Sequence, residues 1–524
     1  MREVLAKPAG RAVRYVVRRL ALSFLVGVSA TSAAQQAPAP RGAAADTIVL
    51  ALPTLVVTAL RNNIDLRSAE LGPRLATADL LLARAGFDPW LTLATQRGRQ
   101  ANDVLGISPR ATQTSDSSSA TLGALFPVGS QVALSLSNSR VSSDPFGITS
   151  ALPFPTSHAS GLSLSFTQPL LRGFGRAGTY GLVDAASASV ESARFRYARN
   201  ADAVVALVER AYWTLRQAES DELVLRRSVD ASREIYDRNV ALQARDVATT
   251  LDVLTSERGL ATRETQLWEA TRQRIDAAER LLFIVYGEEA RGATLLQAPY
   301  VHTTPDSAVV PVVPTLDAAE AMAFAQRSDV AAAGRDVEAG RRRVEQSRNQ
   351  RLPRLDFVAS YGYGGTAPTA RFLTFADSAD LRSSIWTLGF SASFFQRNDA
   401  ALAVDQRAQS AWEAARLAQM ATVNAVRAEV REALRALQTE RDRYLRAGDA
   451  ARLGEREYAA AAEGARLGLV TTFQLLLYED QLAQARLLVS QARFALEDAG
   501  TQYRLAVGDG RRGYAPAGVR GEMK

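Results

Sequence analysis

Gly173-Phe174-Gly175-Arg176-Ala177-Gly178 is a literal GxGxxG, the spacing with which a glycine-rich turn cradles a pyrophosphate. It follows a predicted strand and opens a predicted helix. Glu191 stands near the distance at which an acidic residue would take a ribose hydroxyl. The chemistry does not survive its surroundings. Gly161-Leu162-Ser163-Leu164-Ser165-Phe166-Thr167 alternates apolar and polar residues, whereas the parallel strand of a dinucleotide fold is apolar throughout. The helix that follows is far too long for a βαβ unit. The glycines therefore read as easing a bend from strand to helix. The two histidines, His158 in a predicted loop and His302 in a predicted linker, have no His or Cys at ligand spacing. Residues 112–165 are rich in Ser and Thr, but no His/Asp set completes a triad. The chain has no Cys, which excludes disulfides and thiol chemistry. No catalytic residue, cofactor or metal is expected.

The formal charge of +7 suggests nucleic acid, but residues 1–34 hold Arg2, Lys7, Arg11, Arg14, Arg18 and Arg19 against Glu3 alone. Without them the net charge is about +2, too little for steering phosphates. Arg11 to Arg19 form a positive region, Leu20 to Val28 a short apolar one, and Ser32-Ala33-Ala34 suits cleavage, so residues 1–34 read as a secretory signal. The apolar run is much shorter than the roughly 20 residues of a spanning helix. No other segment is long and apolar enough, so entry into a membrane would have to use strands.

The elements that would position any site come in two sets. Asp246-Val247-Ala248-Thr249-Thr250-Leu251-Asp252-Val253-Leu254 and Gly468-Leu469-Val470-Thr471-Thr472-Phe473-Gln474-Leu475-Leu476 state one pattern twice at an offset of 222, and Glu257 falls on Glu479. Asp65-Leu66 falls on Asp329-Val330, and Pro89 on Pro353, at an offset of 264. The first half thus holds about 40 extra residues, within 100–160. After a flexible Ala/Pro/Gly-rich lead-in at 35–49, a helix is expected from about Leu50 to Ala85, stopped by Gly86-Phe87-Asp88-Pro89. Strands are expected at Trp90–Gln96, Thr121–Phe126, Gln131–Ser137 and Gly161–Thr167, with loops at 101–118 and 141–160.

A long helix is expected from about Thr179 to Arg245. Its seam runs Val204, Val208, Ala211, Leu215, Ala218, Glu222, Leu225, Val229, Ser232 and Tyr236. A helix at about Thr250–Tyr286 and a linker at 288–315 follow. The second half begins near Leu316, with strands at Leu355–Tyr363 and Trp386–Phe394. Trp386, Leu388, Phe390, Ala392 and Phe394 share one strand face. A helix from about Asp399 to Leu467, a second tip, a helix to about Val507 and a short tail at 509–524 complete the chain. The seam glutamates Glu222 and Glu440 read as solvated or Arg-paired, or as lining a tunnel. The Arg/Glu runs at 341–348 and 427–446 read as solvated helix faces.

A helix of about 65 residues is about 100 Å long and needs partners along its length. In each half, two helices of about 36 residues stacked end to end would match it. The strands, four or six per chain depending on whether 121–137 counts, cannot close a barrel alone. Three chains would bring 12 or 18. Trp90, Trp386, Tyr361 and Tyr363 suit either an aromatic girdle or a core.

The chain resembles the TolC-like outer-membrane efflux channels over about 50–508. The resemblance rests on Ser165-Phe166-Thr167-Gln168-Pro169-Leu170-Leu171-Arg172-Gly173-Phe174-Gly175, similar to that family's strand-to-helix junction. It also rests on Leu60-Arg61-Asn62-Asn63 with Asp65-Leu66, on Ala211-Tyr212-Trp213, and on Gly468-Leu469-Val470-Thr471. It implies an α+β membrane protein: a homotrimeric β-barrel in the outer membrane joined to a coiled-coil helical tunnel across the periplasm, with an internal repeat at 50–287, a linker or equatorial region at 288–315 and a second repeat at 316–508. It implies outer-membrane lipid around the barrel, and docking to a periplasmic adaptor protein and an inner-membrane pump in an efflux or type I secretion system. The barrel-to-helix junction would be Gln168, Pro169, Gly173 and Gly175. The adaptor-docking tips would be Asp246, Val247, Thr249, Gly468, Leu469, Val470 and Thr471. The periplasmic aperture would be Phe473, Gln474 and Leu477. Two positions depart from the family's pattern. Asp246 stands where Gly is usual, and would suit the turn as a cap of the next helix. Gln474 and Leu477 stand where acidic residues are frequent, which implies closure by packing and dewetting. The competing expectation is a soluble periplasmic coiled-coil adaptor or scaffold, against which the alternating strands in both halves speak. Cargo and the pump's energy source are not written in the sequence.

Overall fold

The computed structural model describes residues 48–104, 107–144, 156–287, 301–303, 311–367, 384–511 and 514. The expected signal at 1–34, and most of the lead-in, the linker and the tail, lie outside the described residues.

A short strand β1 (Ile48–Leu50) leads into α1 (Leu52–Asn62) and α2 (Ile64–Ala85). The single helix expected over 50–85 is therefore broken. Asn63 has extended backbone at φ −62° and ψ 126°, and its side chain accepts the amide of Leu66, so it ends one helix and caps the next. Gly86 then ends α2. Four strands follow: β2 (Trp90–Val104), β3 (Ile107–Leu125), β4 (Gln131–Asp144) and β5 (Thr156–Pro169). After the short α3 (Gly175–Thr179) come α4 (Gly181–Gln243) and α5 (Thr250–Tyr286). The strand β6 (Val301–Thr303) pairs in parallel with β1. The remainder is α6 (Leu316–Gln326), α7 (Ser328–Gln350), β7 (Arg354–Ala367), β8 (Ser384–Ser393), α8 (Asp399–Arg466) and α9 (Thr472–Val507).

Much of the expected loops at 101–118 and 141–160 is strand. These stretches are polar on both faces, so they lack the apolar alternation that marks a half-buried strand. Their backbones pair all the same, in register from Trp90–Gly123 to Asn102–Ala111, with a shift before Val104–Ile107, and from Thr112–Asp144 to Leu125–Gln131. The hairpin at 121–137 is thus an integral part of a six-stranded antiparallel sheet in the order β2-β3-β4-β5-β7-β8. His158 lies in β5 opposite Arg140, not in a loop, and His302 lies in β6.

The helices extend the sheet as one layer. Near the sheet α4 packs between α2 and α7, and α7 against α8; farther away α4 packs between α5 and α9, and α9 against α8. A helix of 63 residues is about 95 Å long, so two shorter helices stacked on each side cover it. The seam on α4 is buried at Val204, Val208, Leu215, Glu222, Leu225, Val229 and Ser232. Tyr212, Trp213 and Val205 bury a second stripe that the heptad pattern omits, because α4 has neighbours on both sides. On α8, which borders the layer, burial is sparser and centres on one stripe through Val426, Val430, Ala433, Leu434 and Leu437. The main core lies where α1, α4 and α5 meet, around Val56, Val208, Leu215, Leu281 and Val285. Residue 514 joins it: Tyr514 packs against this cluster, while Arg511 ion-pairs with Asp202 at 2.5 Å.

The layer has two free borders. One is β2 with α2 and α5, the other β8 with α8. Leu71, Leu75, Leu81 and Leu82 on α2, and Leu402, Val404, Leu417 and Met420 on α8, are exposed. Among the described residues no helix is long and apolar enough to cross a membrane.

Candidate functional site

Three features could carry function: the corner between sheet and helices, the two faces of the sheet, and the two tips.

The corner holds the glycine motif. Gly173 and Gly175 have φ of +83° and +76°, left-handed backbone that only glycine adopts cheaply. Asn349 at the end of α7 fixes the turn by accepting the Gly173 amide at 2.7 Å and donating to the Leu171 carbonyl at 3.3 Å. Gly178 leaves room for that asparagine, since a Cβ there would lie 2.5 Å from its Oδ1. Thr179 donates to the Gly173 carbonyl at 2.5 Å, and the Gly175 amide reaches the Val128 carbonyl at 3.0 Å. Gln168 accepts from Ser130 Oγ and donates to the Pro169 carbonyl at 2.8 Å. All three glycines are thus explained by a backbone corner. No local pattern marks Asn349, because it lies 176 residues from its partner.

The sheet has two unlike faces. Residues paired across neighbouring strands point the same way. One row reads Leu91, Leu122, Leu134, Leu164, Tyr361 and Trp386; the next reads Leu93, Ala120, Leu136, Leu162 and Tyr363. Leu93, Leu388 and Phe390 on this face are 73, 62 and 70 % exposed. The opposite face reads Thr92, Thr121, Ser135, Ser163, Gly362 and Ile385 in one row, and Ala94, Ser119, Ser137, Gly161 and Gly364 in the next, so Ile385 on the border strand is the one large apolar residue of these two rows. Trp386, Tyr361 and Tyr363 belong to the apolar face. Trp90 belongs to the other, where it covers Gly123, so it takes no part in a girdle with the other three. Phe394 lies just beyond β8.

The tips are alike. At the first, Val247 donates to the Leu242 carbonyl at 3.0 Å and Asp246 to Gln243 at 2.9 Å; at the second, Leu469 donates to Gly464 at 2.9 Å and Gly468 to Ala465 at 3.4 Å. This is the Schellman arrangement, which needs a left-handed residue after the helix. Gly468 supplies it with φ +74°, and Asp246 with φ +58°. Asp246 therefore does not cap the next helix. Thr249 does, in a capping box with Asp252, as Thr471 does with Gln474. Gln474 is held back on its own helix, its Oε1 3.0 Å from the Thr471 amide. Val470 leans on Gly464, while Val247, Leu469 and Phe473 are 71, 78 and 62 % exposed and Leu477 is exposed as well.

Just above the tips lies a buried polar knot. Glu479 is buried in α9, accepts from Ser228 of α4 at 2.5 Å, and faces Arg263 of α5 at 3.4 Å, an ion-pair distance. Arg263 also pairs with Asp480. Burial pushes the Glu479 carboxyl above its ordinary range, against the pull of Ser228 and Arg263. The repeat offset aligned Glu257 with Glu479, yet Glu257 is exposed, because α5 borders the layer and α9 does not. Glu222 is Arg-paired, 2.6 Å from Arg274 Nε, and Glu440 faces Arg443 at 3.5 Å.

Residues 55–285 match the outer membrane efflux protein family. No curated protein matches the chain. Among solved structures, the outer-membrane channel OprN is 18% identical, with 87% of this chain and 90% of that one covered at a TM-score of 0.61. The CmeC outer membrane channel of Campylobacter jejuni is 16% identical, with coverage of 88% and 86% and a TM-score of 0.59. The open-state MtrE outer membrane channel of Neisseria gonorrhoeae is 17% identical, with coverage of 89% and 91% and a TM-score of 0.60. At these identities the likeness is one of fold.

Two outcomes follow from the tips. Asp246→Gly should stabilise the first turn by about 1 kcal/mol, since glycine escapes the left-handed penalty; thermal unfolding checks it. Glu479 binds its proton more tightly folded than unfolded. Its contribution is therefore full below the ordinary value of 4.5 and is lost as pH rises through the raised folded value. Glu479→Gln should raise stability at neutral pH and flatten this loss, checked by melting curves across acidic to neutral pH.

Proposed function

We infer from the match of residues 55–285 to the outer membrane efflux protein family that the chain is a passive outer-membrane exit channel. The observation that carries this reading is the sheet: an exposed apolar face backs a hydroxyl- and glycine-lined one, and the same layer runs on into long helices. A soluble protein rarely exposes an apolar face of this extent, whereas lipid would cover it. The polar face then lines the lumen. The competing scaffold reading leaves the apolar face unexplained.

We propose that the two borders of the layer close on further copies of the chain, β2 with α2 and α5 of one copy meeting β8 and α8 of the next. Unlike borders joined head to tail make a ring when the rotation closes, and three copies make the barrel and tunnel of the reading. The two halves act as internal repeats that each supply one tip. The helices cross the periplasm, and the tips meet an adaptor protein that links the duct to an inner-membrane pump of an efflux or type I secretion system. Val247, Thr249, Gly468, Leu469, Val470 and Thr471 are the docking residues, with Asp246 shaping the first turn. Phe473 and Leu477, with Gln474 tied to its cap, close the aperture by packing, not with a carboxylate ring. Gln168, Pro169, Gly173 and Gly175 turn the barrel into the tunnel. The pump supplies the energy, and the duct catalyses nothing.

The reading is tested by fractionation of cells that express the chain: recovery in the outer membrane supports it, and recovery as a soluble periplasmic protein overturns it. Within it, Leu469→Asp should weaken docking about tenfold, the cost of losing one well-placed apolar anchor. Dye export by the assembled system should fall while the oligomer's mass is unchanged.

A further inference from the structure

The two halves are unequal in one respect. Among the described residues four strands, β2 to β5, lie between α2 and α4, while β7 and β8 alone lie between α7 and α8. The surplus is the hairpin β3–β4. It is hydrogen-bonded on both sides, from Trp90–Gly123 along β2 and from Gln131–Thr167 along β5, so it is wall and not a flap. Its polar positions, among them Thr121, Ser119, Ser135 and Ser137, continue the face of Thr92 and Ser163, and its leucines Leu122, Leu134 and Leu136 continue the apolar face.

The hairpin also decides a width. Near the sheet each chain supplies four helices side by side, α2, α4, α7 and α8. At about 9 Å between axes these cover about 36 Å of circumference. Six strands about 4.8 Å apart and tilted about 40° cover about 38 Å, whereas four would cover about 25 Å. With the hairpin the sheet is as wide as the helical layer it joins. Without it the sheet would be narrower by about a third.

The lumen side adds a second property. Among the described strand residues, those that share the face of Ser163 are uncharged except Arg354 and Asp356, which pair with each other at 2.6 Å beside the corner.

We propose that β3–β4 is an inserted section of barrel wall that opens the outlet to the full bore of the helical tunnel and lines it with small uncharged side chains. The outlet then sorts cargo by size and not by sign of charge, and it suits bulky molecules, since the barrel adds no constriction of its own. This rests on the exit-channel reading.

The test uses the full chain in outer membranes, which has no native cysteine. Leu134→Cys and Ser135→Cys place neighbouring thiols on the two faces of β4. If the hairpin is wall, a water-soluble maleimide added from outside labels position 135 and not 134, and a lipid-soluble maleimide labels 134. Equal labelling of both by the water-soluble reagent overturns the proposal while leaving a membrane channel standing; a chain that is not in the outer membrane overturns the exit-channel reading itself. The bore is read with Ser163→Cys and maleimide-linked polyethylene glycols of increasing size. Deleting residues 107–144 lets β2 turn directly into β5 with faces unchanged, and the largest polymer admitted should shrink in diameter by about a third. Cationic and anionic maleimides of equal size should label position 163 at equal rates. An unchanged size limit in a deletion variant that still assembles, or a tenfold rate difference between the two charges, would overturn the proposal.

Discussion

The structure depends on a sheet whose two border strands, β2 and β8, find no partner within one chain among the described residues. β2 and β8 each present one unpaired row of backbone N–H and C=O groups beside an apolar face. In water such borders aggregate, and in lipid each unpaired group costs several kcal/mol. The helices carry the same condition downward. α2 and α8 continue the two border strands and keep exposed leucines along the layer. The proposed closure on further copies would satisfy strands and helices at once. The central position of α4, the stacked shorter helices and the rigid corner all serve to keep the two borders in line.

The corner shows how local chemistry supports that alignment. The chain turns from strand to helix through two left-handed glycines, and a distant asparagine holds the turn by two hydrogen bonds. The β3–β4 turn packs on the same spot, since Gly129 lies against the Gly173 carbonyl. The inserted hairpin is therefore anchored to the corner as well as to the sheet. At the other end, both tips use one backbone design with different residues. Asp246 accepts a left-handed conformation that Gly468 adopts without cost.

Much of this was legible in the sequence because it is periodic or local. The seam of α4, the ends of α5 and the tip pattern depend on spacing and capping within a few residues, and they stand where expected. The break at Asn63 is not legible, because one extended residue interrupts an otherwise continuous helical pattern. The outer parts of β3 and β4 are not legible because Ser and Thr occupy both faces there. Capping would have offset the cost of Asp246 in the turn, but Thr249 with Asp252 takes that role. The polar knot at Glu479 and the bonds of Asn349 join residues more than 170 positions apart, and nothing in a single sequence marks such pairs. The docking and aperture roles of the tip residues rest on resemblance, whereas their exposure and geometry rest on the structure.

Closure of the two borders is the central claim, and the absence of native cysteine makes it directly measurable. With Leu91→Cys on β2 and Trp386→Cys on β8, a flexible bis-maleimide applied to outer membranes should join copies into a ladder. Closure predicts linked species of two and three chains and none larger. A ladder that continues past three, or chains that never link, would contradict it.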